Sequence, residues 1–250
     1  MKTAIITGGG SGIGKALAKK LACNNWKVTI NGRTKEKLDE TAKEIDFPDH
    51  VNVFAGDIGD KDQVEAMINN HIERFGRLDG LINNAGVAVS GEISEISEQD
   101  WSDVMKTNVD ALFHTTKLSL DHLEKTNGAI VNVSSVSGLG GDWGMGPYNA
   151  SKGAVTNFTR AMALDLATKG IRVNAVAPSL TDTPMASFIT EDEEKMEEFK
   201  KRIPMQRAAE PAEVADVISF LLSNEARFVN GVILPVDGGL SASNGQPKME

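Results

Sequence analysis

The stretch Thr3-Ala4-Ile5-Ile6-Thr7-Gly8-Gly9-Gly10-Ser11-Gly12-Ile13-Gly14 decides how this chain folds. Thr3 to Thr7 is a short, mostly apolar run, and a helical pattern follows the glycines, so the cluster marks a strand-to-helix turn. Small residues there let the backbone close on a pyrophosphate, whose charge then meets the N–H groups and positive dipole end of the helix. A tight turn without a ligand is the plainer alternative. Gly9 to Lys15 also spells GxxxxGK, the opening of a nucleotide triphosphatase loop, but Ala16 stands where that loop needs a hydroxyl for magnesium.

Outward from this turn, short β-branched runs alternate with longer helical patterns, which predicts crossover units and a parallel sheet. Strands are expected at Thr3–Thr7, Lys27–Asn31, Val51–Ala55, Gly80–Asn83, Ala129–Val133, Arg172–Val176 and Gly231–Leu234. Helices are expected near 12–24, 34–46, 61–75, 98–124, 148–169, 191–202 and 211–223. Ser97 with Asp100 and Thr190 with Glu193 have capping-box spacing, and Pro211 suits a first helical position. The fold class is therefore α/β: a single-domain, Rossmann-like, doubly wound sheet of about seven parallel strands with helices on both faces. One domain spans 1–250, with an excursion at 185–206 and a polar tail from Ser241 to Glu250.

Composition narrows the function. With 250 residues, of which 40% are hydrophobic and 24% charged, the chain is long enough to bury a core without staples. Cys23 has no partner for a disulfide, and the four histidines lack zinc spacing, so no metal is expected. A net charge of -9 argues against nucleic acid and anionic membranes as partners. No segment has the apolar length of a membrane helix, and the first residues lack a secretory pattern. A cytoplasmic enzyme or binding protein is the expectation.

The chemistry gathers around Tyr148, the one tyrosine in the chain, with Lys152 one helical turn later on the same face. A nearby cation favours phenolate, so the pair reads as an acid/base device in which lysine lowers the phenol's pKa. A packed aromatic beside a solvated ammonium is the blander alternative. Ser135 follows the apolar strand at the carboxyl edge of the sheet, where ligands of open α/β folds bind. Its hydroxyl could bond a substrate oxygen while Tyr148 transfers a proton. Ser134 reads as a backbone-bonding neighbour.

Together these residues resemble the short-chain dehydrogenase/reductase family. Thr7 to Gly14 matches TGxxxGIG, Asn83-Asn84-Ala85-Gly86 matches NNAG, and Tyr148 with Lys152 matches YxxxK, with Ser135 thirteen residues before the tyrosine. The resemblance implies a catalytic set of Asn108, Ser135, Tyr148 and Lys152, with Asn108 ordering a water beside the lysine. It implies a dinucleotide site built from Gly8, Ser11, Gly12, Ile13, Gly14, Asp57, Ile58, Asn84, Ala85, Gly86, Tyr148, Lys152, Pro178 and Thr183. In the segment holding Pro178 and Thr183, Ser179 replaces the family's usual glycine. Val236-Asp237-Gly238-Gly239 matches an ending whose role is structural.

After the second strand the chain reads Gly32-Arg33 where a carboxylate would select the unphosphorylated cofactor. Gly32 leaves space, and the planar donors of Arg33 suit a phosphate. NADP(H) is therefore expected, with NAD(H) as the alternative. Ser11 weighs the other way, since many NADP-preferring relatives place a basic residue there, and Arg33 and Lys35 could be plain solvated charges. The implied reaction reduces a carbonyl to an alcohol, or the reverse, with Tyr148 as general acid/base. Alternatives are a 3-oxoacyl carrier-protein reductase, for which Arg160, Lys169 and Arg172 are available as docking charges, and a non-catalytic dinucleotide-binding sensor or scaffold. Substrate selection is expected from 87–90, 139–145 and the excursion, whose acidic helix could act as a lid. A homo-oligomer, by analogy a tetramer, is implied.

Overall fold

The computed structural model describes residues 1–244 and 246. Seven parallel strands, β1 (Lys2–Thr7), β2 (Trp26–Gly32), β3 (Val51–Ala55), β4 (Gly80–Asn83), β5 (Ala129–Val133), β6 (Arg172–Pro178) and β7 (Ile233–Val236), form one sheet in the order β3-β2-β1-β4-β5-β6-β7. The order reverses direction between β1 and β4, which opens a crevice at the carboxyl ends of those two strands.

Alternation along β1 shows why both faces are covered. Ala4 and Ile6 pack into a core with Leu17, Leu21, Leu38 and Ile218 from α1 (Gly12–Cys23), α2 (Lys35–Lys43) and, late in the chain, α9 (Pro211–Leu222). Ile5 faces the other way, into a core with Met67, Leu123 and Val155. Those three come from α3 (Lys61–Phe75), α5 (Ala111–Glu124) and α6 (Gly146–Leu166). Such strands, buried on both faces, read as continuous apolar runs.

Several boundaries depart from expectation. The strand expected at Gly231 begins at Ile233, because Gly231 takes φ +80° and its N–H donates to Val173 O, closing a turn first. The helix expected over 98–124 is α4 (Glu98–Met105), a π-turn at Lys106–Asp110, and then α5. Ser97 and Asp100 do form a capping box. Thr190 and Glu193 do not. Thr190 ends the short helix α7 (Ser187–Thr190), and Asp192 instead caps α8 (Glu193–Arg202) by accepting from the Lys195 N–H. Pro211 does open α9, where Glu210 and Glu213 make a further capping box. Of the polar tail, Leu240–Ala242 makes a single 3-10 turn, whereas Gly245 and 247–250 lie outside the described residues.

The excursion is closed at its base. Thr181 and Ala209 form a parallel bridge, with Asp182 N–H donating to Ala209 O and Ala209 N–H to Leu180 O, both at 2.9 Å. At its far end Met205 N–H donates to Gly238 O, so the Asp237-Gly238-Gly239 turn holds the returning chain of the excursion. Asp237 folds that turn by accepting from the N–H groups of Gly239 and Ser241.

Candidate active site

The glycine turn is shaped by close approach. Gly8 and Gly12 have φ of +69° and +49°, where a side chain is strained. A Cβ at Gly9 would lie 2.7 Å from Ile30 Cβ, and one at Gly12 would lie 2.9 Å from Thr183 Cγ2. Ser11, the N-cap of α1, makes no side-chain cap bond, and no acidic residue occupies the first turn, so these N–H groups are open to an anion. The turn is tied to the next strand end by Thr7, whose hydroxyl accepts from the N–H groups of Asn84 and Ala85. Asn84 Nδ2 donates to the carbonyls of Thr7 and Gly8. Gly86 lies beside the catalytic candidates: a Cβ there would be 3.3 Å from Asn108 Oδ1 and 3.5 Å from Lys152 Nζ. The residues expected for a dinucleotide therefore share one carboxyl edge, and the cradle fits one.

Asn108 sits in the π-turn, where the extra residue per turn swings its side chain inward. It donates to Val87 O and Ser151 Oγ and accepts from the Val87 N–H, all within 2.9 Å. A cavity of about 10 Å³ lined by Thr7, Asn83, Asn108 and Lys152 lies behind it, close to the least volume that holds one water. Asp57 receives the Gly59 N–H and Ile58 is buried, both just past β3. Ser134, as expected of a backbone-bonding neighbour, donates to Lys152 O and pairs with Thr156.

Tyr148 is half-buried at the start of α6, with Lys152 Nζ 5.5 Å from its ring centroid. The electrostatics differ from the sequence expectation. Burial pushes the Tyr148 phenol above its ordinary pKa, contact with the Ser135 hydroxyl opposes this, and Asp142 raises it further. Lys152 does not bring it down, because the ammonium is itself 4% exposed, donates to Val133 O at 2.8 Å, and is pushed down by burial to about 8. The lowered phenol is thus not a property of these residues alone.

Arg33 is exposed and has no hydrogen-bond or ion-pair partner among the described residues, whereas Lys35 is engaged by Asp39. Lys169 and Arg172 are poorly placed to dock a carrier protein at this edge. Lys169 pairs with Glu124, and Arg172 opens β6 at the opposite, amino edge, donating to the carbonyls of Leu221 and Ser223. A wider depression of about 700 Å³ lies at that amino edge, lined by Arg172, Arg227 and Phe228, and shares no residue with the site. Sequence reasoning gave no role to Ser137 or Ser151, took Thr7 only as part of the glycine motif, and took Asp142 only as part of the 139–145 segment. Thr7 and Ser151 act through backbone and side-chain bonds that no spacing rule announces; Ser137 and Asp142 lie in a glycine-rich loop without periodicity.

Known proteins resemble this chain along nearly its whole length. A family model described as Enoyl-(Acyl carrier protein) reductase matches residues 8–241. The chain is 45% identical over 248 residues to the meso-2,3-butanediol dehydrogenase of Serratia marcescens, covering 99% of this chain and 98% of that one. It is 39% identical over 241 residues to the 3-oxoacyl-(acyl-carrier-protein) reductase FabG of Thermotoga maritima, covering 96% and 97%. Among solved structures, levodione reductase superposes with a TM-score of 0.93 at 33% identity, covering 97% and 98%. The 3-ketoacyl-(acyl-carrier-protein) reductase of Brucella melitensis complexed with NADH does so at 0.90 and 32%, covering 96% and 98%. No helix among the described residues is long and apolar enough to cross a membrane, and no group of three or more metal-ligating side chains occurs among them.

Proposed function

Because this chain belongs to the short-chain dehydrogenase/reductase family, we propose that it is an NADP(H)-dependent carbonyl reductase or alcohol dehydrogenase in which Tyr148 exchanges the proton. The observation that carries this reading is a half-buried phenol at the same sheet edge as the glycine turn, with Lys152 Nζ 5.5 Å from its ring centroid and the Ser135 hydroxyl close by.

When bound, the nicotinamide cofactor supplies or takes the hydride. The open N–H groups of the first turn of α1 would hold its pyrophosphate, on a turn whose Gly9 and Gly12 let the backbone lie close against Ile30 and Thr183. Arg33, exposed and unpaired beside Gly32, meets a 2′-phosphate. Asp57 and Ile58 would meet its adenine, Asn84 to Gly86 would line the floor beneath it, and Pro178 with Thr183 would hold its carboxamide. In carbonyl reduction negative charge grows on the substrate oxygen, and Tyr148 donates its proton there. Lys152 orients a ribose hydroxyl and faces the charge left on the phenol. Asn108 fixes the loop at Val87 that forms one wall of the substrate pocket.

The likeness to a butanediol dehydrogenase puts hydroxyketones and vicinal diols first among substrates, ahead of 3-oxoacyl thioesters. A homotetramer in the cytoplasm is part of the same reading. The exposed Phe113 on α5 and Leu164 on α6 support burial of those helices against another copy, and the exposed, unbridged Cys23 suits a reducing compartment. The test is turnover: acetoin, diacetyl and acetoacetyl thioesters are screened while NADPH absorbance is followed. Tyr148→Phe is expected to lower the rate by about 10²–10⁴ while leaving NADPH binding intact. Turnover by Tyr148→Phe at the wild-type rate overturns the assignment.

A further inference from the structure

A carboxylate outside the expected catalytic set stands beside the reacting groups. Asp142 lies in the glycine-rich loop ahead of α6, and that loop is held at two points. Asn149 Nδ2 donates to the Asp142 carbonyl at 2.9 Å, and the Gly91 N–H donates to Gly144 O at 2.9 Å. The side chain is anchored too: the Ser137 hydroxyl donates to Asp142 Oδ2, and Ser137 Oγ lies 3.0 Å from Ser135 Oγ. One serine therefore separates this carboxylate from Ser135, the residue read as meeting the substrate oxygen. Asp142 is exposed, and its Oδ1 has no hydrogen-bond partner among the described residues. Its charge joins burial, the larger cause, in raising the Tyr148 pKa, as a carboxylate close to the phenol would.

Hydrogen counting gives this corner of the site a sign. A carboxylate only accepts, and a serine hydroxyl has one hydrogen to give. Ser137 gives its hydrogen to Asp142. Ser135 Oγ accepts the Ser137 N–H at 3.1 Å, which fixes it in place while its own hydrogen can turn from Ser137 Oγ to the reacting oxygen. A second substrate oxygen, on the carbon next to the reacting one, then meets the lone pairs of Asp142 Oδ1. A hydroxyl can donate to them. A second carbonyl brings only lone pairs of its own and is repelled.

We propose that Asp142 is a specificity-determining residue whose Oδ1 accepts a hydrogen bond from a hydroxyl on the carbon next to the reacting one. The site thereby selects α-hydroxyketones and vicinal diols against α-diketones. This inference rests on the reading of Ser135 and Tyr148 as the groups that meet the reacting oxygen, and it adds a residue that reads the neighbouring one.

Acetoin and diacetyl share a carbon skeleton and differ at that neighbouring oxygen, a hydroxyl in the first and a carbonyl in the second. Their kcat/KM values are compared in the wild type, Asp142→Ala and Asp142→Asn. The greater intrinsic reactivity of a diketone cancels, because each ratio is set against the wild-type ratio. In Asp142→Ala, acetoin is expected to lose about tenfold, the worth of one charge-assisted hydrogen bond, while diacetyl holds or gains. Asp142→Asn keeps an oxygen for the Ser137 hydroxyl and presents an amide N–H to the substrate, so the acetoin-to-diacetyl ratio is expected to fall by about tenfold or more. A merely structural role would lower both substrates together. An acetoin-to-diacetyl ratio in Asp142→Asn that stays at the wild-type value overturns the inference and leaves the Tyr148 assignment standing. Wild-type turnover of other ketones but of neither acetoin nor diacetyl also overturns the inference alone, whereas no turnover of any carbonyl overturns the underlying reading with it.

Discussion

Thr183 rests against Gly12: the Cβ that any other residue would carry at position 12 lies 2.9 Å from Thr183 Cγ2. The glycine turn and the base of the excursion are therefore fitted to each other. Gly12→Ala meets both this overlap and a φ of +49°, a strain of about 1–2 kcal/mol before any displacement of Thr183. NADPH affinity, read by the quenching or transfer of tryptophan fluorescence, is expected to fall about tenfold. Full affinity in the alanine variant would show that this corner does not touch the cofactor.

Cofactor choice is tested at two adjacent positions. Arg33→Ala removes charge-assisted bonds of about 1.5–3 kcal/mol, so NADPH is expected to weaken by one to two orders of magnitude and NADH by less than about threefold. A Cβ at Gly32 would stand 3.4 Å from Leu38 Cδ2, an ordinary contact, and its φ is not left-handed. Gly32→Asp therefore fits, and it should reverse the preference by repelling a 2′-phosphate. Equal losses for both cofactors in Arg33→Ala reject a phosphate role.

Lys152 sets a pH dependence. Burial lowers its pKa to about 8, so the ammonium is present below that value and is lost as pH rises through it. Isothermal titration from pH 7 to 9.5 is expected to show NADPH binding weakening above about pH 8, because a neutral amine is the poorer donor to a ribose hydroxyl. Lys152→Met should bind more weakly throughout and lose the dependence.

His71 gives a stability signature away from the site. It is fully buried, with Thr29 on Nδ1 and both Thr3 and the Arg77 carbonyl on Nε2, and burial holds its pKa down to about 4. A folded-state pKa below the unfolded one means stability is complete above about pH 6.5 and is lost as pH falls toward 4, by about 3 kcal/mol in all. Urea unfolding at pH 7 and pH 4.5 should show this fall, and His71→Gln should flatten it while lowering stability at pH 7.

Much of the fold was legible because strands buried on both faces cannot be disguised: Ile5, Ile6, Ile130 and Val131 must be apolar wherever they stand. What escaped were features made by backbone hydrogen bonds rather than side-chain pattern. The π-turn at Lys106–Asp110 leaves the amphipathic pattern almost unbroken, yet it delivers Asn108. α6 starts at Gly146, two residues before Tyr148, and Pro147 in its first turn marks that start. The catalytic candidates followed from motif spacing, whereas the electrostatics did not. Spacing places Lys152 near Tyr148, but only the packed structure shows the ammonium turned to Val133 O and both groups desolvated. Within the 139–145 segment Asp142 does not stand out for a related reason, since a lone acid among glycines looks like any solvated loop residue.

The bridge between Thr181 and Ala209 makes the segment it encloses a replaceable cassette. Because the stems are clasped before the chain leaves the sheet, residues beyond the clasp can be lengthened, shortened or exchanged without pulling on β6. An exchange confined between Pro184 and Pro204 would leave both Thr183 against Gly12 and the Met205–Gly238 bond in place.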